Sequence, residues 1–503
     1  MQAATLRCSC FLAWSAILLS LPLGQAADAQ TPLPPDLISP NVPHEVANGA
    51  SASVTDLAIF AWQEFTALNW PSVDPATTGH RGRPDTNSDF LTIKPGPDGS
   101  YPLLVWQTYR HKNELFPADG KTDSNFDSAA PSYKYKGPPI LPGQPGYTMN
   151  IFNNLDESSE IGLCNMFAHD DTRLLYEAKV NRSIFDYANK NLLTQCDDKN
   201  NCPALKAALA KTQGDLTDYG GICSVDPSIV SLPCGDAATM GDAGEGAIEI
   251  KAAWRQLTTG EISKGRFYTR KVIYYSGPQF VGQQYQNAVY GLVALHIIHK
   301  TKAFPTFVFA TWEQIDNYDD SANQNTENLK FINTGTDLPN IAVSRAHPIH
   351  SQIGPVNDAV HTAFKAKDPS TIWQYYKLVG VQGMPVNGPP PAGASSDQLS
   401  YYYLANIVVE TNQTLQNFFG AAPNGVVVKS KNVYLKGASG SPFQMGGCQG
   451  CHGAQGQAKG GDMSRLIGAA PSNSTHPPDS IDSGAAASIK SYVERSADAE
   501  GYR

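Results

Sequence analysis

Four apolar segments between residues 246 and 315 constrain the fold more than any other feature of the chain. They read GAIEIKAAWRQL, RFYTRKVIYY, AVYGLVALHIIHK and FPTFVFATWEQI, and they are rich in Val, Ile, Tyr and Phe. Gly, Pro and polar residues separate them at regular intervals, which is typical of strands joined by turns. The spacing predicts an antiparallel meander in the middle of the chain.

Helical periodicity occurs on both sides of these segments. Over residues 54–68 apolar side chains recur at helical spacing after Ser51 or Ser53, either of which is a suitable cap. Trp62, Phe65 and Trp70 are expected in the core. Further segments are predicted as helices over 181–192, 204–211, 356–367 and 399–420, and as a strand over 101–110. The predicted class is α+β, a large N-terminal domain with an antiparallel sheet and flanking helices.

The first residues have the pattern of a secretory signal peptide. Arg7 precedes an apolar run from Phe11 to Leu23, and small residues follow up to Ala29. The run is shorter than the roughly 20 residues that cross a bilayer. We therefore expect an exported chain with a signal peptide at 1–26, a large domain at 27–420 and no transmembrane segment after cleavage.

Seven cysteines follow the signal peptide. In an oxidising compartment, disulfides are expected among the first five of them. Cys196 with Cys202, and Cys223 with Cys234, are near enough in sequence to close small loops, although sequence alone leaves the connectivity open. Cys164 lies in the apolar segment IGLCNMFAH, where a buried thiol is expected.

The other two cysteines form the motif that carries chemistry. The Gly-rich region 421–503 contains GGCQGCHGAQGQ, in which Cys448 and Cys451 precede His452. C-x-x-C-H is the attachment motif of haem c: two thiols three positions apart reach one porphyrin edge, and the adjacent imidazole binds iron. Chance would place the pentapeptide in a chain with 9 Cys and 11 His roughly 0.004 times. The sequence predicts one covalent haem c.

Two rival interpretations of the motif lack their context. A redox-active C-x-x-C pair is typical of a thioredoxin-like turn between strand and helix. Half of a zinc site needs a second pair of ligands. His347 and His350 are spaced as metal ligands are, but they flank Pro348 and no second cysteine pair accompanies them, so a loop or core role is expected.

The segment CQGCHGAQGQ resembles the haem-binding segment of bacterial c-type cytochromes and matches it at Cys448, Cys451 and His452. The segments IEIKAAWRQL and GLVALHIIHKTKAFPTFVFATWEQIDN resemble a group of large exported bacterial proteins described only as cytochrome c family members. The resemblance implies two thioether bonds, proximal ligation by His452 and a periplasmic location. It implies no substrate.

The sixth iron ligand separates electron transfer from reaction at the metal. Met463 is the first candidate for the distal position, because the residues between it and His452 are enough to pass around a porphyrin edge. His296 and His299 are further candidates, and in a strand they would face opposite sides. Met445 and His476 are less suitably placed.

Three functions follow from these features. The first is electron transfer through the haem iron to a redox partner protein. The net charge of −9 favours a partner with a basic surface and argues against nucleic acid as a partner. The second is a haem c-dependent oxidoreductase, peroxidase-like or oxygenase-like, with an open iron site and a small-molecule substrate in the large domain. The third is a binding module with a structural haem. The sequence does not decide whether the chain is an enzyme.

Overall fold

A computed structural model provides the fold. Its described residues are 32–116, 122–129, 132–134, 148–150, 165–168, 174–197, 201–215, 221–236, 238, 244–276, 284–326, 329–332, 341–343, 345, 347–383, 391, 393–402, 404–409, 434–436, 442–444, 452 and 460–469. The residues of the predicted signal peptide lie outside them, as do Cys164, Met445, Cys448, Cys451 and His476. Within the described part of the chain, no helix has the length and apolarity needed to span a membrane.

Helices occur along the whole described part of the chain, and several of them connect strands of the large sheet. They are α1 (Val54–Leu68), α2 (Pro75–Thr78), α3 (Lys112–Leu115), α4 (Arg182–Lys190), α5 (Pro203–Asp215), α6 (Thr259–Lys264), α7 (Ile353–Lys367), α8 (Ser396–Leu399) and α9 (Arg465–Ala469). The helix predicted over 54–68 is confirmed at both ends. Ser53 begins it with a capping box, in which its hydroxyl accepts from the Asp56 amide and the Asp56 carboxylate accepts from the Ser53 amide.

The strands of the described residues form one large antiparallel sheet and four small ones. They are β1 (Arg110–His111), β2 (Ser132–Lys134), β3 (Thr148–Asn150), β4 (Asn165–Phe167), β5 (Leu174–Val180), β6 (Ile248–Gln256), β7 (Thr269–Ser276), β8 (Gln284–His299), β9 (Val308–Gln314), β10 (Tyr318–Asp319), β11 (Gln324–Asn325), β12 (Lys330–Ile332), β13 (Ile341–Ala342), β14 (Tyr376–Gln382), β15 (Tyr434–Lys436) and β16 (Pro442–Gln444). The large sheet has the order β1-β5-β6-β8-β9-β14, and β7 also pairs with β8. An α+β fold with an antiparallel sheet is thereby confirmed.

The simple meander is wrong in one respect. β6 and β7 are consecutive in the chain, yet they do not pair with each other. Gly291 of β8 pairs with Arg255 of β6 and with Thr269 of β7, so the two strands lie on opposite edges of β8. β8 is long enough to pair with β7 along its first half and with β9 along its second half.

One face of the sheet is covered by α1 and α7. Trp62 of α1 contacts Trp312 of β9, and its indole N–H donates to Asn357 Oδ1 of α7 at 3.0 Å. Phe65 packs on the same Trp312. Trp62, Phe65 and Trp70 are all buried, as predicted. The aromatic residues of α1 therefore join sheet and helices into the main hydrophobic core.

The opposite face carries a second core that includes residues 407–409. A helix predicted over 399–420 is wrong in its described part, because residues 404–409 are not helical. The Asn406 side chain accepts hydrogen bonds from the amides of Val408 and Val409, and it donates to Thr311 Oγ1 on the sheet. Bonds of this kind compete with a helix for the same amides.

The strand predicted over 101–110 is also wrong for most of its length. Only Arg110, with His111, pairs in the sheet, and Trp106–Thr108 form a 3₁₀ turn. The Leu104 amide donates to the side chain of Gln107 at 3.0 Å, which closes the turn.

Among the described cysteines, two disulfides close short loops. Cys196 pairs with Cys202, and Cys223 pairs with Cys234. Both follow the local pairing that the spacing allowed, and such bonds are typical of proteins that mature in an oxidising compartment.

Candidate functional site

His452 is the described residue of the C-x-x-C-H motif. Its Nδ1 lies 2.7 Å from the backbone carbonyl oxygen of Met463. Because a carbonyl oxygen only accepts, Nδ1 must be the donor, and in the neutral ring Nε2 then carries the lone pair. The contact therefore fixes the tautomer that leaves Nε2 able to bind a metal.

The surroundings keep this imidazole neutral. Burial lowers the pKa of His452 to about 3, and the positive charge of Arg465 contributes in the same direction. The Met463 carbonyl opposes that shift. A neutral imidazole with an available nitrogen is the form that binds iron or other transition metals.

The His452 ring lies over one face of the sheet. Phe309 of β9 contacts it edge-on with ring centroids 5.2 Å apart. Phe309 also packs on His296 of β8, at 6.2 Å. His296 pairs in register with Lys251 of β6. Both residues contribute to the low pKa of His452.

His296 and His299 face opposite sides of the sheet, as their spacing predicts. His299 is buried on the side of α1, where Nδ1 contacts the Glu64 carboxyl and the ring stacks on Phe60. Burial raises the pKa of Glu64, and His299 opposes that rise. The sheet thus separates His299 from His452, and of the two histidines it is His296 that lies near the motif.

The carbonyl that meets His452 belongs to a tight turn over residues 460–463. Gly460, Asp462 and Met463 all have positive φ, at 84°, 53° and 68°. Two successive non-glycine residues in this region are unusual, and each costs on the order of 1 kcal/mol. The Ser464 hydroxyl then caps α9 by accepting from the Ile467 amide at 3.0 Å. Such a turn persists only when its surroundings hold it.

Contacts from residues far away in the sequence hold this turn. Asp462 Oδ2 accepts from the Leu232 amide at 2.6 Å and from Lys300 Nζ. Ser464 makes a hydrogen bond with the Glu249 carboxyl on β6. Ile467 packs in the main hydrophobic core. Residues 460–468 are therefore bound to the sheet and to the loop that the Cys223–Cys234 disulfide closes.

Met463, the predicted distal ligand, contacts His452 through its backbone. Its carbonyl lies on the Nδ1 side of His452, and its side chain is fully buried in the main core. Distal ligation by Met463 stays a prediction, and the contact found for this residue is made by its backbone.

Sequence analysis did not identify Lys300 or Asp462 as functional residues. Lys300 follows an apolar strand and Asp462 stands between glycines and Met463, so either reads as an exposed charge at a turn. The two side chains are instead fully buried. They lie 162 residues apart, and no local pattern can relate residues so distant.

A second group of buried charges lies elsewhere in the described part of the chain. Glu114 binds Arg81 and Arg110 in ion pairs, and Lys179 lies 3.5 Å from Glu177.

His347 and His350 are buried, and His347 Nδ1 lies 2.8 Å from the carbonyl oxygen of Pro348. Among the residues that the structure describes, no three His, Cys, Asp or Glu side chains form a metal-binding group.

Comparison of the chain with protein-family models, with curated proteins and with solved structures finds no match.

Proposed function

We propose that this chain is an exported c-type cytochrome that carries one haem, bound through Cys448 and Cys451 and ligated by His452. The observation that carries the proposal is the contact between His452 Nδ1 and the Met463 carbonyl. A histidine that ligates a metal through one ring nitrogen commonly donates the other N–H to a carbonyl or carboxylate. Here the donor belongs to the motif that the sequence assigns to haem attachment.

The residues around His452 fit that group. Nε2 has the lone pair that an axial ligand needs, and the low pKa keeps it unprotonated at neutral pH. When bound, the haem supplies an iron that accepts and donates one electron. Phe309 packs against the His452 ring, and the Met463 carbonyl orients that ring. We propose that the Gly-rich region 421–503 is the small haem region and packs on the domain 27–420.

Electron transfer to a redox partner in the bacterial periplasm is the function that we favour. The two disulfides support an oxidising compartment. The net charge of −9 supports a partner with a basic surface. The resemblance to large exported cytochrome c family members agrees with this assignment and belongs to the proposal.

A second candidate is a haem c-dependent oxidoreductase, peroxidase-like or oxygenase-like, with an open iron and a small-molecule substrate. One observation favours it. The Met463 side chain packs in the core while its carbonyl faces His452 Nδ1, and this placement does not favour the residue as a sixth ligand. An iron without a sixth protein ligand is open to exogenous molecules.

Replacement of the motif cysteines tests the proposal. The full chain, matured with haem-attachment machinery, should stain for covalent haem on a denaturing gel. The Cys448→Ser/Cys451→Ser variant should lose the stain entirely, whereas Cys164→Ser should keep it. Haem staining that survives the double substitution would contradict attachment at these two cysteines.

A further inference from the structure

We propose that Lys300 and Asp462 are positioning residues for the haem: they latch the turn 460–463 onto the loop 222–232 and so hold the Met463 carbonyl against His452. The inference rests on the proposed function and adds to it the groups that set the environment of the axial ligand. We call Lys300, Asp462 and the backbone of residues 222–232 the latch.

Lys300 joins three parts of the molecule. Its backbone amide donates to the Ala247 carbonyl at 2.9 Å, which fixes the residue beside β6. Its ammonium donates to Asp462 and, at 2.8 Å, to the carbonyl of Ile222, next to Cys223. The lysine therefore connects the sheet, the disulfide-closed loop and the turn that faces His452.

Asp462 receives a second hydrogen bond from the same loop. The Leu232 amide, two residues before Cys234, donates to Oδ2 at 2.6 Å. The carboxylate thus bridges Lys300 and the loop backbone, and neither charged side chain is exposed. Removing one partner of a buried ion pair leaves the other charge unpaired, which is strongly destabilising. The latch therefore depends on both charged residues being present, and this dependence suggests that the pair has a role.

The strain of the turn indicates what the latch does. Asp462 and Met463 both have positive φ, a conformation that L side chains disfavour. The bonds to Asp462 hold the first of these residues, and the carbonyl of the second meets His452 Nδ1. Without the latch, the turn can relax and the carbonyl can move away from the imidazole.

Such a movement would change the reduction potential of the haem. A hydrogen bond from Nδ1 raises the basicity of the ligating imidazole, which favours the oxidised metal and lowers the reduction potential. Weakening the bond to the Met463 carbonyl should raise the potential. If the pair served only to stabilise the fold, a variant that removes Lys300 and Asp462 together, and so leaves the net charge of the pair unchanged, would lower the melting temperature and leave the reduction potential unchanged.

The test compares haem-loaded full-length variants by redox titration. Lys300→Met removes the ammonium and keeps the length of the side chain. Lys302→Met is the matched control: Lys302 lies two residues away, is exposed, and pairs with exposed Asp236 at 3.1 Å. We expect a higher midpoint potential in Lys300→Met than in wild type, and no change in Lys302→Met.

A second variant guards against misfolding. Lys300→Met/Asp462→Asn removes both buried charges, so it should fold where the single variant is unstable, and it should still show the raised potential. A potential equal to that of wild type in a haem-loaded double variant overturns the latch and leaves the proposed function intact. Absence of covalent haem from the wild-type chain overturns both.

Discussion

His452 makes its defining contact with a residue eleven positions further along the chain. The Met463 carbonyl selects the ring tautomer, and burial keeps the imidazole neutral. Nothing in the local sequence distinguishes this carbonyl from any other, because a backbone acceptor leaves no mark on residue type. The motif identifies the ligand, and only the fold identifies what orients it.

The backbone role of Met463 leads to a prediction about its side chain. Met463→Leu conserves volume, so it should cost less than roughly 1.5 kcal/mol of stability. It keeps the carbonyl, and we expect the absorption spectrum of the oxidised haem protein to stay unchanged. If wild type instead shows the weak near-infrared band of methionine ligation and Met463→Leu loses it, Met463 is the distal ligand.

Glu249 gives the stability of the molecule a pH dependence. Burial raises its pKa to about 7, the Ser464 hydrogen bond lowers it, and Asp462 raises it further. Glu249 Oε1 has no hydrogen-bond partner among the described residues, which also favours the protonated form. The folded state therefore holds a proton that the unfolded state releases above its ordinary pKa of 4.5.

This raised pKa predicts that the stability of the folded state falls as the pH rises. The contribution of Glu249 is fully present below pH 4.5 and is lost as the pH rises through about 7. The loss is on the order of 3 kcal/mol at most. Denaturant unfolding of wild type and Glu249→Gln between pH 5 and 8 should give curves that diverge, with the variant losing less stability. Parallel curves would show that Glu249 does not titrate in this range.

At the scale of elements, sequence analysis predicted correctly the helix that depends on residues close in the chain, and it failed where contacts between distant residues decide the structure. The helix over 54–68 was predicted from apolar periodicity after Ser51 or Ser53, and the structure shows that Ser53 is the cap, in a capping box with Asp56. The helix over 399–420 was wrong because Asn406 binds the amides of Val408 and Val409 and anchors to Thr311, nearly a hundred residues away. Apolar periodicity there reflects burial on a sheet face and not a helix.

The two disulfides allow a matched comparison between loops. Each closes a short loop and should contribute about 2 to 3 kcal/mol. Cys223→Ser/Cys234→Ser loosens the loop that donates to Asp462, so it should lower the melting temperature and raise the haem potential. Cys196→Ser/Cys202→Ser should lower the melting temperature alone. Equal haem reduction potentials in both variants would show that the loop 222–232 does not influence the potential.

At the scale of the whole molecule, the long strand β8 organises both faces. Its His299 side packs on α1, and its His296 side faces the motif histidine. Strands β6 to β9 were predicted, but their order as a simple meander was wrong, because the pairing of β6 and β7 with opposite edges of β8 depends on a register that spans the sheet. The buried pair Lys300–Asp462 escaped prediction for the same reason.

The central claim is that His452 ligates a covalent haem whose iron transfers electrons. Its most direct test is the absorption spectrum of the matured full-length protein, oxidised and reduced, with and without carbon monoxide, beside a denaturing gel stained for haem. We expect a stained chain with a reduced c-type spectrum that carbon monoxide leaves unchanged. Rapid carbon monoxide binding would contradict electron transfer at a six-coordinate iron and favour the oxidoreductase, and an unstained chain would contradict the claim itself.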